Sequence, residues 1–292
     1  MTETPRQRFA AALASGEMIT APGCYDGLTA KLIERAGFGA CYMTGAGTAS
    51  GYGLPDYGLL TATEMIHNAG RIAAAVDIPV IADADTGFGN ELNVTRAIRD
   101  YERAGVAAIH MEDQGFPKKC GHLDDKVIIP LEEFLAKIRA AVAARTDPDF
   151  KIIARTDSNA MIGFEEAVKR ANAALGAGAD IAFIEAPKTE EEMAAVTQRV
   201  NGPCLFNLVL RGKTPPVTVE GLEAAGFALT IMPDLLWREM VMRAEEVLSD
   251  LNAGTLPSQT EGLLVGELFE RVGSKEWDEL RDAFTLPAQA AE

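Results

Sequence analysis

Basic residues are scarce in this chain. Its 292 residues carry 27 Lys and Arg against 43 Asp and Glu, a formal net charge of −16. Nucleic acid and anionic membrane both require basic surface, so neither is an expected partner. Cysteine is also sparse. Cys24, Cys41, Cys120 and Cys204 lie far apart with no Cys-x-x-Cys pair, which argues against a disulfide framework or a structural zinc site. No apolar run approaches the ~20 residues that span a bilayer. Residues 2–8 are polar, so no signal peptide is expected. These absences lead us to expect a cytoplasmic protein with reduced thiols. No Gly-x-Gly-x-x-Gly follows the first strand-like run: Gly45-Ala46-Gly47 is only a fragment of that pattern, and no P-loop is present. The middle of the chain also lacks a linker rich in Pro, Gly or Ser, so a single domain is expected over 1–292.

What is present is alternation. At 48% hydrophobic and 24% charged residues, the composition fits a globular protein with a large core. Short apolar runs at 19–21, 40–44, 80–82, 107–111, 151–154, 181–184, 204–207 and 228–231 read as buried strands. Segments of helical period follow at 28–36, 62–75, 92–104, 131–144, 164–177, 190–200, 217–224 and 234–253. Ala36-Gly37, Ala104-Gly105, Ala177-Gly178 and Ala225-Gly226 each lead into a strand-like run, as expected where glycine ends a helix. Eight such units predict an α/β fold, a (β/α)8 TIM barrel, with a doubly wound open sheet as the alternative. Residues 257–292 form a C-terminal appendage with further helical pattern at 263–272 and 275–284, and 287–292 are expected to fray.

In such a barrel the chemistry sits at the C-terminal strand ends. Polar residues collect there in phase: Tyr42 and Thr44 after strand two, Asp83 and Asp85 after strand three, Glu112 and Asp113 after strand four. Arg155 and Asp157, Glu185, and Asn207 follow strands five, six and seven. Asp83 and Asp85 are two apart and would share one face of a strand. Paired carboxylates repel unless a cation lies between them. With Glu112 the set is all oxygen and suits Mg2+, with Mn2+ as the alternative, rather than zinc. Two surface aspartates opening a turn is the plainer reading of the same pattern.

Lys118-Lys119-Cys120-Gly121-His122 places a thiol between cations and a histidine. Neighbouring cations lower a thiol pKa from about 8.5 toward neutrality, where it can hold or deliver a proton. The plainer reading is a solvated basic loop. Arg155 could bind a substrate carboxylate or form a structural ion pair with Glu185. His67 reads as structural and His110 as a buried, hydrogen-bonded residue. Cys24, Cys41 and Cys204 read as core, and Met232 and Trp237 as packing groups.

The chain resembles the isocitrate lyase and phosphoenolpyruvate mutase superfamily over residues 9–251. The likeness is carried by Ala21-Pro22-Gly23-Cys24-Tyr25-Asp26, Gly53-Leu54-Pro55-Asp56, Asp83-Ala84-Asp85-Thr86-Gly87-Phe88-Gly89 and Glu112-Asp113. Lys118-Lys119-Cys120-Gly121-His122, Ala154-Arg155-Thr156-Asp157 and Gly212-Lys213-Thr214-Pro215 complete it. The resemblance implies a (β/α)8 barrel, bound Mg2+, and a homotetramer in which a C-terminal helix swaps between subunits. The cysteine loop makes the chain similar to the members that split carbon–carbon bonds, the methylisocitrate lyase and 2,3-dimethylmalate lyase group.

By that resemblance the substrate is a 2-hydroxy dicarboxylate, a substituted malate or 2-methylisocitrate, cleaved to a 2-oxo acid and a carboxylate. Cys120 would be the acid and Asp85 the direct metal ligand, with Asp83, Glu112 and Asp56 supporting the metal. Tyr42, Thr44, Gly45 and Ala46 would cradle the 2-oxo acid, and Arg155 would bind its oxo or hydroxyl oxygen. Lys118, Gly121, His122, Glu185 and Asn207 would line the site of the leaving carboxylate. The strand-seven motif departs from the family's Asn-Met-x-Glu-Gly-Gly-Lys-Thr-Pro, because Leu210 replaces an acid and Arg211 a glycine, and Ala46 replaces a second glycine. Leu210, Arg211 and Thr214 are therefore expected to shape the distal pocket. The alternatives are an oxaloacetate-processing or phosphonate-processing enzyme, and a non-catalytic metabolite-binding barrel.

Overall fold

Eight parallel strands close into a barrel in the computed structural model, which describes residues 3–121, 125–258 and 260–285. In chain order they are β1 (Ile19–Cys24), β2 (Cys41–Met43), β3 (Val80–Asp83), β4 (Ala108–Glu112), β5 (Lys151–Thr156), β6 (Ile181–Ile184), β7 (Cys204–Asn207) and β8 (Leu229–Met232). Each pairs with the next, and β8 returns to β1 with Ile19 opposite Leu229. The expected (β/α)8 barrel is the observed fold. His122 and the 287–292 tail lie outside the described residues.

The closure follows from the pleat. Ala21, Tyr42, Ile81, Ala108, Ile153, Phe183, Leu205 and Ile231 form one buried cluster drawn from all eight strands, which fills the barrel interior. Their neighbours Cys41, Met43, Val80, Ala82, Ile109, Met111, Ile152 and Ala154 belong to a second cluster shared with the surrounding helices. Successive side chains thus alternate between barrel and helix layer.

The return from helix to strand recurs. Helices Gly27–Arg35, Glu91–Arg103, Phe164–Gly176 and Val219–Ala224 each close on an alanine. The glycine that follows, Gly37, Gly105, Gly178 or Gly226, has φ between +84° and +104°. A left-handed residue there ends the helix without a Cβ clash.

Helices Pro5–Ser15, Gly45–Gly51 and Ser158–Met161 are additions to the expected set, and the second of them borders the site. After β2 the chain forms a helix, Gly45–Gly51, before the expected one at Ala62–Ala73. Its sequence, Gly-Ala-Gly-Thr-Ala-Ser-Gly, has no apolar period. Local capping and burial hold it instead: Thr44 accepts from the Gly47 N–H at 3.3 Å, and Asn68 donates to Thr48 Oγ1 at 3.1 Å.

The chain divides into two compact units, Met1–Met240 and Val241–Glu292, and the barrel belongs to the first. The second contains helices Val265–Glu270 and Ser274–Phe284 and exposes Leu264, Phe269, Trp277 and Phe284. Among the described residues, no helix is long and apolar enough to cross a membrane.

Candidate active site

The strand alternation that fills the barrel also selects what stands at its mouth. Tyr42, Asp83, His110, Glu112 and Arg155 continue the inward rows of β2 to β5. Asp83 is registered with His110, and Glu112 with Arg155. Glu185 follows β6 and Asn207 ends β7. All seven are buried.

Asp83 is held from several sides. The Tyr42 hydroxyl donates to Oδ2 at 3.3 Å and Gly45 N–H to the same oxygen at 3.2 Å, while Asp85 N–H donates to Oδ1 at 2.9 Å. Gly45 is required for this approach, since a Cβ there would fall less than 3.0 Å from Asp83 Oδ2. Burial opposes the charge on Asp83, but His110, Lys118 and Arg155 outweigh it and hold the carboxyl well below the usual range.

Asp85 reaches the site differently than strand pleating predicts. β3 ends at Asp83, and Asp85 adopts φ +45° beyond it. A left-handed aspartate at a strand end is strained backbone of the kind that collects at functional sites. Burial, opposed by Lys118 and reinforced by Asp83 and Asp56, pushes its carboxyl up to about 6. Lys118 Nζ lies 2.5 Å from Asp56 Oδ1 and 2.8 Å from Asp85 Oδ1. Burial works against the ammonium, yet Asp85 and Asp56 raise its pKa well above the ordinary lysine value.

These carboxylates fit a metal ion. Asp85 Oδ1 and both oxygens of Glu112 are buried without a hydrogen-bond partner, which is costly unless a cation completes them. Ligand atoms of Asp83, His110 and Glu112 lie within 4.8 Å of one another. His110 Nε2 is engaged by the Tyr42 hydroxyl at 2.6 Å, as expected of a buried, hydrogen-bonded histidine. The available donors are therefore carboxylate oxygens, a hard set suited to a divalent cation such as Mg2+.

Arg155 stands at the centre. Its Nε and Nη2 donate to Asp157 at 2.8 and 3.1 Å, Nε lies 3.4 Å from Glu112 Oε2, and Nη2 lies 3.5 Å from Glu185 Oε1. The guanidinium carbon sits 5.1 Å from the Phe183 ring centroid. Asn207 donates to both Glu185 oxygens at 3.1 and 3.3 Å.

A cavity of about 160 Å³ brings together Tyr42, Thr44, Ala46, Asp56, Asp83, Lys118, Cys120, Gly121, Arg155, Glu185 and Asn207. Gly45, Asp56 and Asp85 border an adjoining recess. Cys120 is half-buried, whereas Cys24, Cys41 and Cys204 are core residues. Leu210, Arg211 and Thr214 are not at the cavity wall: Leu210 and Arg211 are exposed and Thr214 is half-buried. Val209 lines it instead, with Pro233, Asp234, Trp237 and Arg238. Trp237, read from sequence as packing, is thus part of the wall. Sequence reasoning also passed over Asp157 as a site residue, although its spacing of two from Arg155 was a usable signal. A larger groove of about 550 Å³, lined by His67, Arg96 and Asp100 among others, lacks this convergence of carboxylates and cations.

Comparison with known proteins agrees with this geometry. The family profile described as phosphoenolpyruvate phosphomutase matches residues 9–252. The chain is 52% identical over 222 residues to 2,3-dimethylmalate lyase of Eubacterium barkeri, covering 76% of this chain and 77% of the relative. It is 42% identical over 269 residues to 2-methylisocitrate lyase of Aeropyrum pernix, covering 91% and 86%. The solved structure of oxaloacetate acetylhydrolase with 3,3-difluorooxalacetate matches with a TM-score of 0.93 at 36% identity, covering 98% of this chain and 99% of that one.

Proposed function

The chain belongs to the phosphoenolpyruvate phosphomutase family, within the isocitrate lyase superfamily, and on that footing we propose that it is a Mg2+-dependent carbon–carbon lyase. Its substrate is a 2-hydroxy dicarboxylate, with 2,3-dimethylmalate first and 2-methylisocitrate second, cleaved to a 2-oxo acid and a carboxylate. The observation that supports this most is that Cys120 lines the same cavity as Asp83, Lys118 and Arg155, in a chain 52% identical to a 2,3-dimethylmalate lyase.

Asp85, Asp83, Glu112 and Asp56 would hold the cation. When bound, it supplies Lewis-acid stabilisation of charge on the substrate's hydroxyl and carboxylate oxygens. The remaining roles fall to the chain. Lys118 and Arg155, cations on the cavity wall, bind the dianionic substrate. Tyr42 and Thr44 orient the half that becomes the 2-oxo acid. A base takes the substrate's hydroxyl proton, and the hydroxyl oxygen becomes the oxo group as the carbon–carbon bond breaks. The electron pair of that bond goes to the departing carboxylate fragment, and the Cys120 thiol protonates its carbon.

Purified protein is incubated with Mg2+ and a panel of substituted malates, methylisocitrate, isocitrate and oxaloacetate, and 2-oxo acid release is followed. Cleavage of one hydroxy acid, lost with EDTA and in Cys120→Ser, is the expected result. The structural likeness to oxaloacetate acetylhydrolase favours a second reading, oxaloacetate hydrolysis. Oxalate release that survives Cys120→Ser would replace the lyase reading with it.

The reading extends to assembly. Exposed Leu263, Leu264, Val265, Leu268, Phe269 and Trp277 in the C-terminal unit support its packing on another copy, in a homotetramer measurable by light scattering. A cytoplasmic setting fits the four free cysteines.

A further inference from the structure

Lys126 has no part in the chemistry above, yet its ammonium is fully buried at 0% side-chain exposure. A buried ammonium is costly unless it is paired and hydrogen-bonded. Lys126 Nζ donates to Asp157 Oδ1 at 2.7 Å and to the Gly121 carbonyl oxygen. Asp157 is shared, since it also accepts both Nε and Nη2 of Arg155. The contacts close on themselves, because Gly121 rests on the same guanidinium. A Cβ at Gly121 would fall less than 3.0 Å from Arg155 Nη2 and Glu185 Oε1. Gly121, Lys126, Asp157 and Arg155 therefore form a ring of direct contacts.

We propose that Lys126 is a positioning residue: it straps Gly121, and with it the adjoining Cys120, against Arg155. The inference rests on the reading of Cys120 as proton donor for its catalytic consequence, though not for its structural one. Arg155 faces three carboxylates, Asp157, Glu112 and Glu185. Lys126 supplies a second positive charge to Asp157, so the guanidinium can turn to substrate without leaving a buried carboxylate uncompensated. The strap couples the thiol's place to the residue that binds substrate.

The test uses the full chain with Mg2+ and two neutral variants, Lys126→Met and Lys126→Gln. Iodoacetamide is the probe. Cys24, Cys41 and Cys204 are buried, so alkylation followed by mass spectrometry reports on Cys120. The expected result is a roughly tenfold faster alkylation in Lys126→Met, as access rises, and a smaller rise in Lys126→Gln, which keeps a donor. On the substrate that wild type turns over, kcat falls roughly a hundredfold while KM and Mg2+ affinity change little, as for a displaced catalytic group. A folded neutral variant that alkylates at the wild-type rate overturns the proposal, even if its melting temperature drops. Lys126→Gln decides the matter if Lys126→Met does not fold. Should wild type turn over nothing on the panel, the lyase reading fails, while the alkylation comparison still decides the role of Lys126.

Discussion

Lys118 Nζ lies 2.8 Å from Asp85 Oδ1, yet that oxygen has no hydrogen bond. The ammonium is shared, since it donates to Asp56 Oδ1 while lying against Asp85. Asp85 therefore keeps a buried lone pair open to a cation, with a positive charge already beside it. Lys118 limits repulsion among the carboxylates in the absence of metal and leaves the ligand position open.

Mg2+ affinity is expected to depend on pH through Asp85. Burial pushes this carboxyl up to about 6, and a cation binds only the ionised form. Above that pH the affinity is flat. Below it, protons compete and affinity falls by up to roughly tenfold per pH unit. Calorimetric titrations with Mg2+ at about pH 5 and about pH 7.5 measure this, and equal constants at the two values would count against it.

Without metal, the same residue weakens the fold. A carboxyl raised from 3.8 to about 6 on folding penalises the native state fully above pH ~6, and the penalty fades as pH falls toward ~4. Asp85→Asn is therefore expected to raise the stability of the metal-free protein at neutral pH by up to about 3 kcal/mol. The gain shrinks on acidification and reverses when Mg2+ is added, since only wild type retains the ligand. Thermal melts in EDTA and in Mg2+ make the comparison. A wild type more stable than the variant in EDTA at neutral pH would defeat the argument.

Arg211 carries φ +58°, a conformation that costs a non-glycine residue about 1–2 kcal/mol. Arg211→Gly is expected to stabilise the protein by about 1 kcal/mol in chemical denaturation. The substrate profile is expected to stay as it was, because Val209 and Trp237 line the cavity and Arg211 does not. Val209→Gly should instead shift the preference toward bulkier substituents. A changed profile in Arg211→Gly with unchanged stability would return the specificity role to the residue that the motif comparison singled out.

That contrast shows what the sequence could carry. The eight strands were legible because each buried run is short, apolar and followed by a helical period, and four shared Ala-Gly endings marked the returns. Tyr42, Asp83, Glu112, Arg155 and Asn207 were legible because they continue inward rows at strand ends. Helix Gly45–Gly51 was not, since its small residues are helical through Thr44 and Asn68 rather than through propensity. Lys126 was not, because its partner Asp157 is 31 residues away and only barrel closure brings them together. At Leu210 and Arg211 the departure from the family motif was visible, but side-chain direction after a strand end is set by local backbone, which a motif does not encode.

Behind Arg155 lies a second buried pair whose removal should be felt in stability before chemistry. Arg170 Nη1 donates to Asp113 Oδ2 at 3.0 Å and to the Ile129 carbonyl at 2.9 Å. Asp113 accepts the Thr156 hydroxyl at 2.6 Å and the Asp157 N–H at 2.8 Å, so it fixes the end of β5 from which Arg155 and Asp157 project. Burial raises the Asp113 carboxyl, and Arg170 is among the groups that pull it back. Arg170→Leu leaves a buried carboxylate without its cation and is expected to destabilise the protein by about 3–5 kcal/mol. Adding Asp113→Asn to that variant should recover part of the loss, because the uncompensated charge goes with it. Urea unfolding of wild type, the single variant and the double variant reads both effects. A single variant within about 1 kcal/mol of wild type would show that Arg170 acts as a surface-like pair and that Thr156 and Asp157 alone hold Asp113.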